Sequence, residues 1–349
     1  MTIRGHVWYN QSPMKGQSFS KLKSIISGFT GKKMLVIGDL ILDEFVWGRV
    51  SRISPEAPVP VVWVNNESFM PGGASNVANN INSLGAKAYL VGVVGNDERA
   101  GILKGELEHR GVNIDGIFTE SQRPTILKTR VIAHQQQVVR IDREKVDPLK
   151  DATIKKISGF VEDIIDEMDG VVVEDYGKGL ITPKLLDRIV PLAKKKRKII
   201  TVDPKEEHFS YYRGVTLITP NNAEASRAVG FEIKDKQTLK KAGFELLKKL
   251  KARVVLITLG EGGMMVFEEG KAPKKIETIA QEVFDVSGAG DTVASSYVLS
   301  LVSNATSIQA AHIANCAAGI VVGKVGIAVV TQDEVIHRIK EEIEKAKIS

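Results

Sequence analysis

Cysteine is all but missing from this 349-residue sequence. The lone Cys316 excludes an internal disulfide and points to a reducing compartment. It sits in the apolar run Ala311 to Val322, where a buried, inert thiol is the expected role. Aromatic residues make up only 6% and do not interleave with basic ones, so the stacking surface that single-stranded nucleic acid needs is not there. No uncharged apolar stretch reaches the roughly 18 residues of a membrane span. The first twenty residues carry Arg4, His6, Asn10, Gln11 and Lys15 instead of the apolar centre of a signal peptide. A cytoplasmic protein is the expectation. The six histidines are scattered without an H-E-x-x-H pair, and no Cys/His cluster has the spacing of a zinc site. Neither G-x-x-x-x-G-K-[ST] nor G-x-G-x-x-G occurs, since Val293 stands where the last glycine of the second pattern would follow Gly288 and Gly290.

The net charge of +6 raises nucleic acid as a partner. The densest basic run, Lys194-Lys195-Lys196-Arg197-Lys198, closes an amphipathic helix and precedes an apolar strand. A solvated helix C-terminus matched to the helix dipole accounts for it. Anionic small substrates account for the remaining excess, and no nucleic-acid or membrane partner is expected.

Apolar residues make up 43% of the chain, enough for a substantial core. Short apolar runs at 34–38, 88–94, 170–173, 198–202, 216–218 and 254–259 alternate with helix-period segments at 74–84, 98–110, 152–168, 183–195 and 237–250. That alternation predicts an α/β fold, a mostly parallel sheet covered on both faces. Runs at 263–267 and 275–279 suit an antiparallel edge, and three helices at about 290–303, 307–322 and 333–346 close the chain. Residues 59–64 read as a strand with no helix before it. Residues 126–133 and 138–142 read as a hairpin around 134–137, with Lys128 and Arg130 on one face of the first arm. Arg140 and Asp142 share a face of the second arm. A small sheet with one polar and one apolar face suits a lid. The expected organisation is an N-terminal arm and short helix over 1–32, residues 1–20 being loose. One domain over 33–349 follows, with lid strands from about 44–64 and 126–142.

The most informative stretch is Asp285-Val286-Ser287-Gly288-Ala289-Gly290-Asp291-Thr292, which runs straight into a helix-like segment. Its glycines let the backbone turn and present N–H groups where the helix begins, a ready site for an anion. Asp291 stands beside it, able to accept a proton from a hydroxyl. An anion hole next to a base is the minimum equipment for moving a phosphoryl group onto an alcohol.

Other constellations each admit a plainer role. Pro71-Gly72-Gly73-Ala74-Ser75-Asn76 could bring a ligand against the backbone, or be an ordinary strand-to-helix turn. Asp39 ends the first strand at the edge where open α/β sheets bind ligands, and could hold sugar hydroxyls or cap local backbone. Asn221 and Glu224 could meet phosphates through a metal, or form a capping box. Asp203-Pro204-Lys205 is a turn or a cation facing phosphate. Thr258, Gly260 and Gly262 offer a backbone-rich edge for a nucleotide, or a glycine-rich hairpin.

Together these residues resemble the ribokinase/PfkB family of carbohydrate kinases, over nearly everything from Lys33 to about Thr331. The Gly72-Gly73…Asn76 turn and the Asp285…Gly288-Ala289-Gly290-Asp291 segment are its two motifs. Residues 38–43, 51–60, 123–125 and the pair of stretches Gln135-Gln136 and Arg140-Ile141-Asp142 are more specific. They resemble the branch that phosphorylates heptose 7-phosphate in ADP-heptose synthesis. The resemblance implies a ribokinase-like fold with a β lid that closes over the sugar and often forms a dimer interface. It implies Asp291 as base, with Gly288, Ala289 and Gly290 as anion hole. Asp39, Gly72, Gly73 and Asn76 would bind sugar; Asn221 and Glu224 would serve ATP and, indirectly, Mg²⁺. Asn315 would lie near adenine, and Asp285 and Ser287 by a monovalent-cation site, typically K⁺. Ser287 stands where Thr is commoner, which keeps the hydroxyl. The bifunctional relatives also carry a nucleotidyltransferase domain with an H-x-G-H signature, which is not in this sequence, so a stand-alone kinase is expected.

The expected reaction is therefore ATP-dependent phosphorylation of D-glycero-D-manno-heptose 7-phosphate at its anomeric oxygen. Face alternation makes Lys128, Arg130 and Arg140, together with Lys178, candidates for the distal phosphate. A kinase for ribose, fructose, fructose 6-phosphate or a nucleoside is the alternative within the family. A silent sugar- or nucleotide-binding regulator is the alternative outside it.

Overall fold

The computed structural model describes residues 16–134, 136–280, 283–324 and 326–348. Most of the expected arm, and Gln135 of the hairpin, lie outside the described residues. A short helix, α1 (Phe19–Ser27), leads into β1 (Lys33–Gly38). After the single residue Asp39 the chain extends again as β2 (Leu40–Ile53) and returns as β3 (Pro60–Gly73). The layered part then begins with α2 (Ala74–Ser83), β4 (Lys87–Val94), α3 (Glu98–His109) and β5 (Asn113–Thr119). A hairpin of β6 (Ile126–Ala133) and β7 (Gln136–Arg143) interrupts it. The alternation resumes as α4 (Asp151–Ile164), β8 (Gly170–Glu174), α5 (Pro183–Lys195), β9 (Ile199–Asp203) and β10 (Leu217–Ile218). Two helices follow, α6 (Asn222–Val229) and α7 (Lys236–Leu250), then the strands β11 (Val254–Thr258), β12 (Met264–Glu268) and β13 (Lys274–Ile276). Three helices end the chain: α8 (Ala289–Val302), α9 (Ser307–Val321) and α10 (Gln332–Ile348).

The large sheet has nine strands in the order β13-β12-β11-β10-β9-β8-β1-β4-β5. Its pairs are parallel from β5 to β11, while β12 pairs antiparallel with both β11 and β13, as the sequence pattern implies. Strand β1 shows why: Leu35 and Ile37 join the core cluster under α4 and α5, and Met34 and Val36 join the one under α2 and α9. Apolar side chains on both faces leave no solvent-facing side, so helices cover each. Polar residues mark helix starts. Thr182 caps α5 ahead of Pro183, and Asp235 forms a capping box at α7.

The small sheet runs β3-β2-β6-β7, with β2 and β6 parallel and the other pairs antiparallel. It is larger than the sequence suggests: the expected strand 59–64 is the first half of β3, and β2 is fourteen residues long. Its face alternates as expected, with Lys128 opposite Asp142 and Arg130 opposite Arg140.

Parallel register does the positioning. It sets Gly38 beside Glu174, and Glu174 beside Asp203, at the carboxyl ends of β1, β8 and β9. Gly38 admits this closeness, since a Cβ there would stand 2.4 Å from the Glu174 carbonyl oxygen and 2.8 Å from the Ala74 Cβ. Gly38→Ala should therefore destabilise the fold by about 1–3 kcal/mol through overpacking. A thermal melt indistinguishable from the parent would show that this contact relaxes freely.

Candidate active site

Asp291 occupies the first turn of α8 and is 5% exposed. The turn starts at Gly288, the helix N-cap, whose φ of +77° is a conformation side chains disfavour. The Ala289 N–H donates to the Val286 carbonyl at 3.2 Å. Gly290 and Asp291 follow in the turn where a helix leaves its N–H groups without intrahelical acceptors. A Cβ at Gly290 would meet nothing within 4 Å, so there is room for a ligand above these amides. The helix dipole adds partial positive charge at the same point.

Both oxygens of Asp291 are held. The Asn76 amide donates to Oδ2 at 2.5 Å, and the Tyr176 hydroxyl donates to Oδ1 at 3.0 Å. Asn76 is buried near the start of α2, so the two glycine-rich turns of the sequence converge on one carboxylate. Burial pushes the Asp291 pKa up to about 6, and the two donors pull it partway back.

Asp39 lies between β1 and β2, and it too is pushed up to about 6 by burial, against three backbone donors. Those donors are the N–H groups of Tyr176 and Lys178 on Oδ2, each at 3.0 Å, and that of Leu180 on Oδ1 at 3.3 Å. The loop after β8 therefore hangs on Asp39. Beside it, Gly72 leaves space for Asp43, whose Oδ2 would be 2.0 Å from a Cβ at that glycine. Gly73, at the end of the same strand, has φ +55° and its missing Cβ would sit 2.6 Å from the Asp39 carbonyl oxygen. Through these contacts Asp39, Gly72 and Gly73 cluster with Asp43, while Asn76, three residues after Gly73, holds Asp291.

Each of the four basic candidates meets a carboxylate. Arg130 pairs with Asp43, and Arg140 with Asp142 at 2.8 Å. Lys128 lies 3.2 Å from Asp142 and 3.6 Å from Glu144, and Lys178 is 2.6 Å from Glu144. The last contact bridges the lid and the loop on Asp39.

A cavity of about 530 Å³ opens against the start of α8, lined by Thr258, Gly260, Met264, Ala289, Gly290 and Asn315 among others. It suits a nucleotide base: mostly apolar walls with a few polar groups. Asn315 is fixed there by donating to the Glu277 carbonyl at 2.7 Å. Gly262 lines a separate hollow with Leu259 and Lys275. Asn221 and Glu224 do form the capping box of α6, each side chain taking the other's backbone N–H. Glu224 also contributes, after burial, to raising the Asp203 pKa. The Ser287 N–H donates to Asp285 Oδ1 at 2.8 Å, forming a turn just ahead of the anion site.

Glu174, Asp203 and Asp291 each offer an oxygen within 4.8 Å of the others. Glu174 is wholly buried, and neither of its carboxylate oxygens has a hydrogen-bond partner among the described residues. Burial, then the charges of Asp203 and Asp291, pushes its pKa well up. Unpartnered buried carboxylates beside two others are a hard-oxygen donor set, which suits a divalent cation.

Asp43, Glu174 and Tyr176 are not among the residues expected from sequence. Asp43 and Glu174 carry a signal in hindsight, being charged residues within or ending apolar strands. Tyr176 lies in an irregular loop and carries none.

The sequence matches the pfkB family of carbohydrate kinases over residues 32–333. It is 45% identical over 317 residues to the bifunctional protein HldE of Desulfatibacillum aliphaticivorans, covering 91% of this chain and 65% of that one. The same identity holds over 307 residues to the bifunctional protein HldE of Helicobacter hepaticus, covering 88% of this chain and 64% of that one. The chain thus spans just under two thirds of the length of these relatives. Among solved structures, phosphofructokinase-2 from Escherichia coli in complex with potassium superposes with a TM-score of 0.75 at 19% identity, over 90% of this chain and 99% of that one. Ribokinase of Arabidopsis thaliana, complexed with ribose and ATP, superposes with a TM-score of 0.71 at 19% identity, over 89% and 99%. The glycine-led helix start, the buried aspartate beside it and the lidded parallel sheet accord with these matches, and the chain belongs to the pfkB family of carbohydrate kinases.

Proposed function

We propose that the chain transfers the γ-phosphoryl group of ATP to the anomeric hydroxyl of D-glycero-D-manno-heptose 7-phosphate, giving the 1,7-bisphosphate, in the cytoplasm. The observation that carries the chemistry is Asp291, buried, held by Asn76 and Tyr176, and set in the first turn of α8, where Ala289 and Gly290 line the nucleotide-sized cavity. The choice of sugar rests on 45% identity to bifunctional HldE proteins and on the resemblance of residues 51–60 and 123–125 to heptose-7-phosphate kinases.

The sugar hydroxyl attacks the γ-phosphorus as the bond to ADP breaks, and its proton passes to Asp291. The transition state is loose, so the carboxylate has to accept the proton only late, once bond-making has acidified the hydroxyl. Of the expected anion hole of Gly288, Ala289 and Gly290, the Ala289 N–H is taken up by the Val286 carbonyl, so the amides of Gly290 and the adjoining Asp291 would face the charge on the moving group. Glu174, Asp203 and Glu224 would hold Mg²⁺, which supplies charge neutralisation on the nucleotide's phosphates when bound. Asp285 and Ser287 would stand by K⁺. Lys128, Arg140 and Lys178 would take the distal phosphate by leaving their carboxylates. The lid also exposes Val64 (51%), Val139 (46%) and Ile141 (47%), an apolar surface suited to a second copy of the chain in a homodimer.

Asp291→Asn should lower kcat about 10²- to 10⁴-fold while leaving ATP affinity nearly unchanged. Near-normal turnover in that variant defeats the base assignment. The acid limb of kcat/KM should lie near pH 6, where Asp291 and Asp39 both titrate. Activity needs the ionised carboxylate, so it is full above that pH and lost as pH falls. A limb near pH 4 in a profile from pH 3.5 to 8 would contradict the burial argument. In a coupled ADP-release assay, heptose 7-phosphate should exceed both ribose and heptose lacking the phosphate by about 100-fold or more in kcat/KM, the worth of two charge-assisted hydrogen bonds. Equal rates with the unphosphorylated sugar would favour the ribose- or fructose-kinase reading.

A further inference from the structure

We propose that Tyr176 is the positioning residue of the base: its hydroxyl fixes the plane of the Asp291 carboxylate, and its backbone ties that plane to the sugar pocket. The inference rests on the reading of Asp291 as base.

A carboxylate turns easily about its last side-chain torsion, which is broad and roughly two-fold. One hydrogen bond leaves it free to swing; a donor on each oxygen fixes its plane. Asn76 supplies one donor and Tyr176 the other. The acidic groups near Asp291 on neighbouring elements are Asp43 on β2, Glu174 on β8 and Asp203 on β9. None of them can donate to an ionised Asp291 when itself ionised. Among the described residues, the side-chain donors on the Asp291 carboxylate are the Asn76 amide and the Tyr176 hydroxyl.

Tyr176 is itself well fixed. Its N–H donates to Asp39, as do those of Lys178 and Leu180, while the Gly177 N–H donates to Asp175 at 2.8 Å. One loop therefore carries both the backbone donors on the Asp39 carboxylate and the hydroxyl that sets the base.

Tyr176→Phe removes the hydroxyl and keeps the ring and the backbone contacts. We expect kcat to fall about 10- to 100-fold, the worth of one hydrogen bond to a charged group, with KM for ATP and sugar within about twofold of the parent. In an Asp291→Asn background the same substitution should change the residual rate by less than about twofold, because the effect runs through the carboxylate. A kcat within about twofold of the parent, or an equal loss in both backgrounds, overturns the proposal. Parental turnover in Asp291→Asn alone would instead remove the base reading, a separate result. Should Tyr176→Phe melt early, 3-fluorotyrosine at position 176 keeps the shape and alters the donor. Changed kcat with steady KM then supports the role, and an unchanged kcat rejects it.

Discussion

Desolvation of carboxylates crowded at one edge of a parallel sheet is the constraint to which the site responds. Register sets Glu174 beside Asp203, and α8 delivers Asp291 to the same spot. Glu174 and Asp291 are buried and Asp203 half-buried, and the ionised form of each is disfavoured. The consequence for folding has a definite sign. Asp39 and Asp291 have their pKa raised from an ordinary 3.8 to about 6, so protonating them favours the folded chain. That contribution is complete below 3.8 and is lost as pH rises through 6. The site is thus least favourable to stability over the neutral range in which its ionised carboxylates are needed.

The remedies are local and come from different elements. Backbone N–H groups of the loop after β8 converge on Asp39, and an amide and a phenol converge on Asp291. Glu174 has no such relief among the described residues. Donor-rich surroundings permit a charged, desolvated carboxylate, whereas an unrelieved one is where a cation gains most. The two sheets are also joined here, because β2 begins directly after Asp39, so the residue that anchors the loop also stands where the chain passes from the large sheet to the small one.

Much of this was legible in the sequence, and what was not has identifiable causes. Uninterrupted apolar strands alternating with amphipathic helices imply a parallel sheet, and Gly288 and Gly290 imply the glycine-led helix start that carries Asp291. Local chemistry suffices for both. The length of β2 was hidden because Asp43, Glu44 and the arginines at 49 and 52 interrupt its apolar pattern. Strand β5 was hidden by Asp115 and Gly116, which have poor strand propensity. Tyr176 was invisible for another reason: its partners lie 115 and 137 residues away, and no period or motif connects them. The Asn221–Glu224 pair remained two-valued because a capping box and a phosphate contact call for the same residues at the same spacing.

The four basic candidates raise the question of how a cationic surface could discriminate when each of them is already paired. Lys128 on β6 stands across from Asp142 on β7, Arg140 contacts Asp142 from the same strand, and Lys178 reaches Glu144 just beyond it. Under the proposed reading, a neutral sugar offers those cations nothing better and leaves the pairs intact. A phosphate monoester carries about −1.5 to −2 charges and three acceptor oxygens, so it can take several of them at once. The carboxylates it displaces return to water, since Asp142 and Glu144 are only partly buried. Preformed pairing therefore lowers the gain from any single weak anion and reserves lid engagement for a ligand that meets two or three cations together. Because Lys178 also belongs to the loop that carries Tyr176, the same exchange acts on the element that orients Asp291.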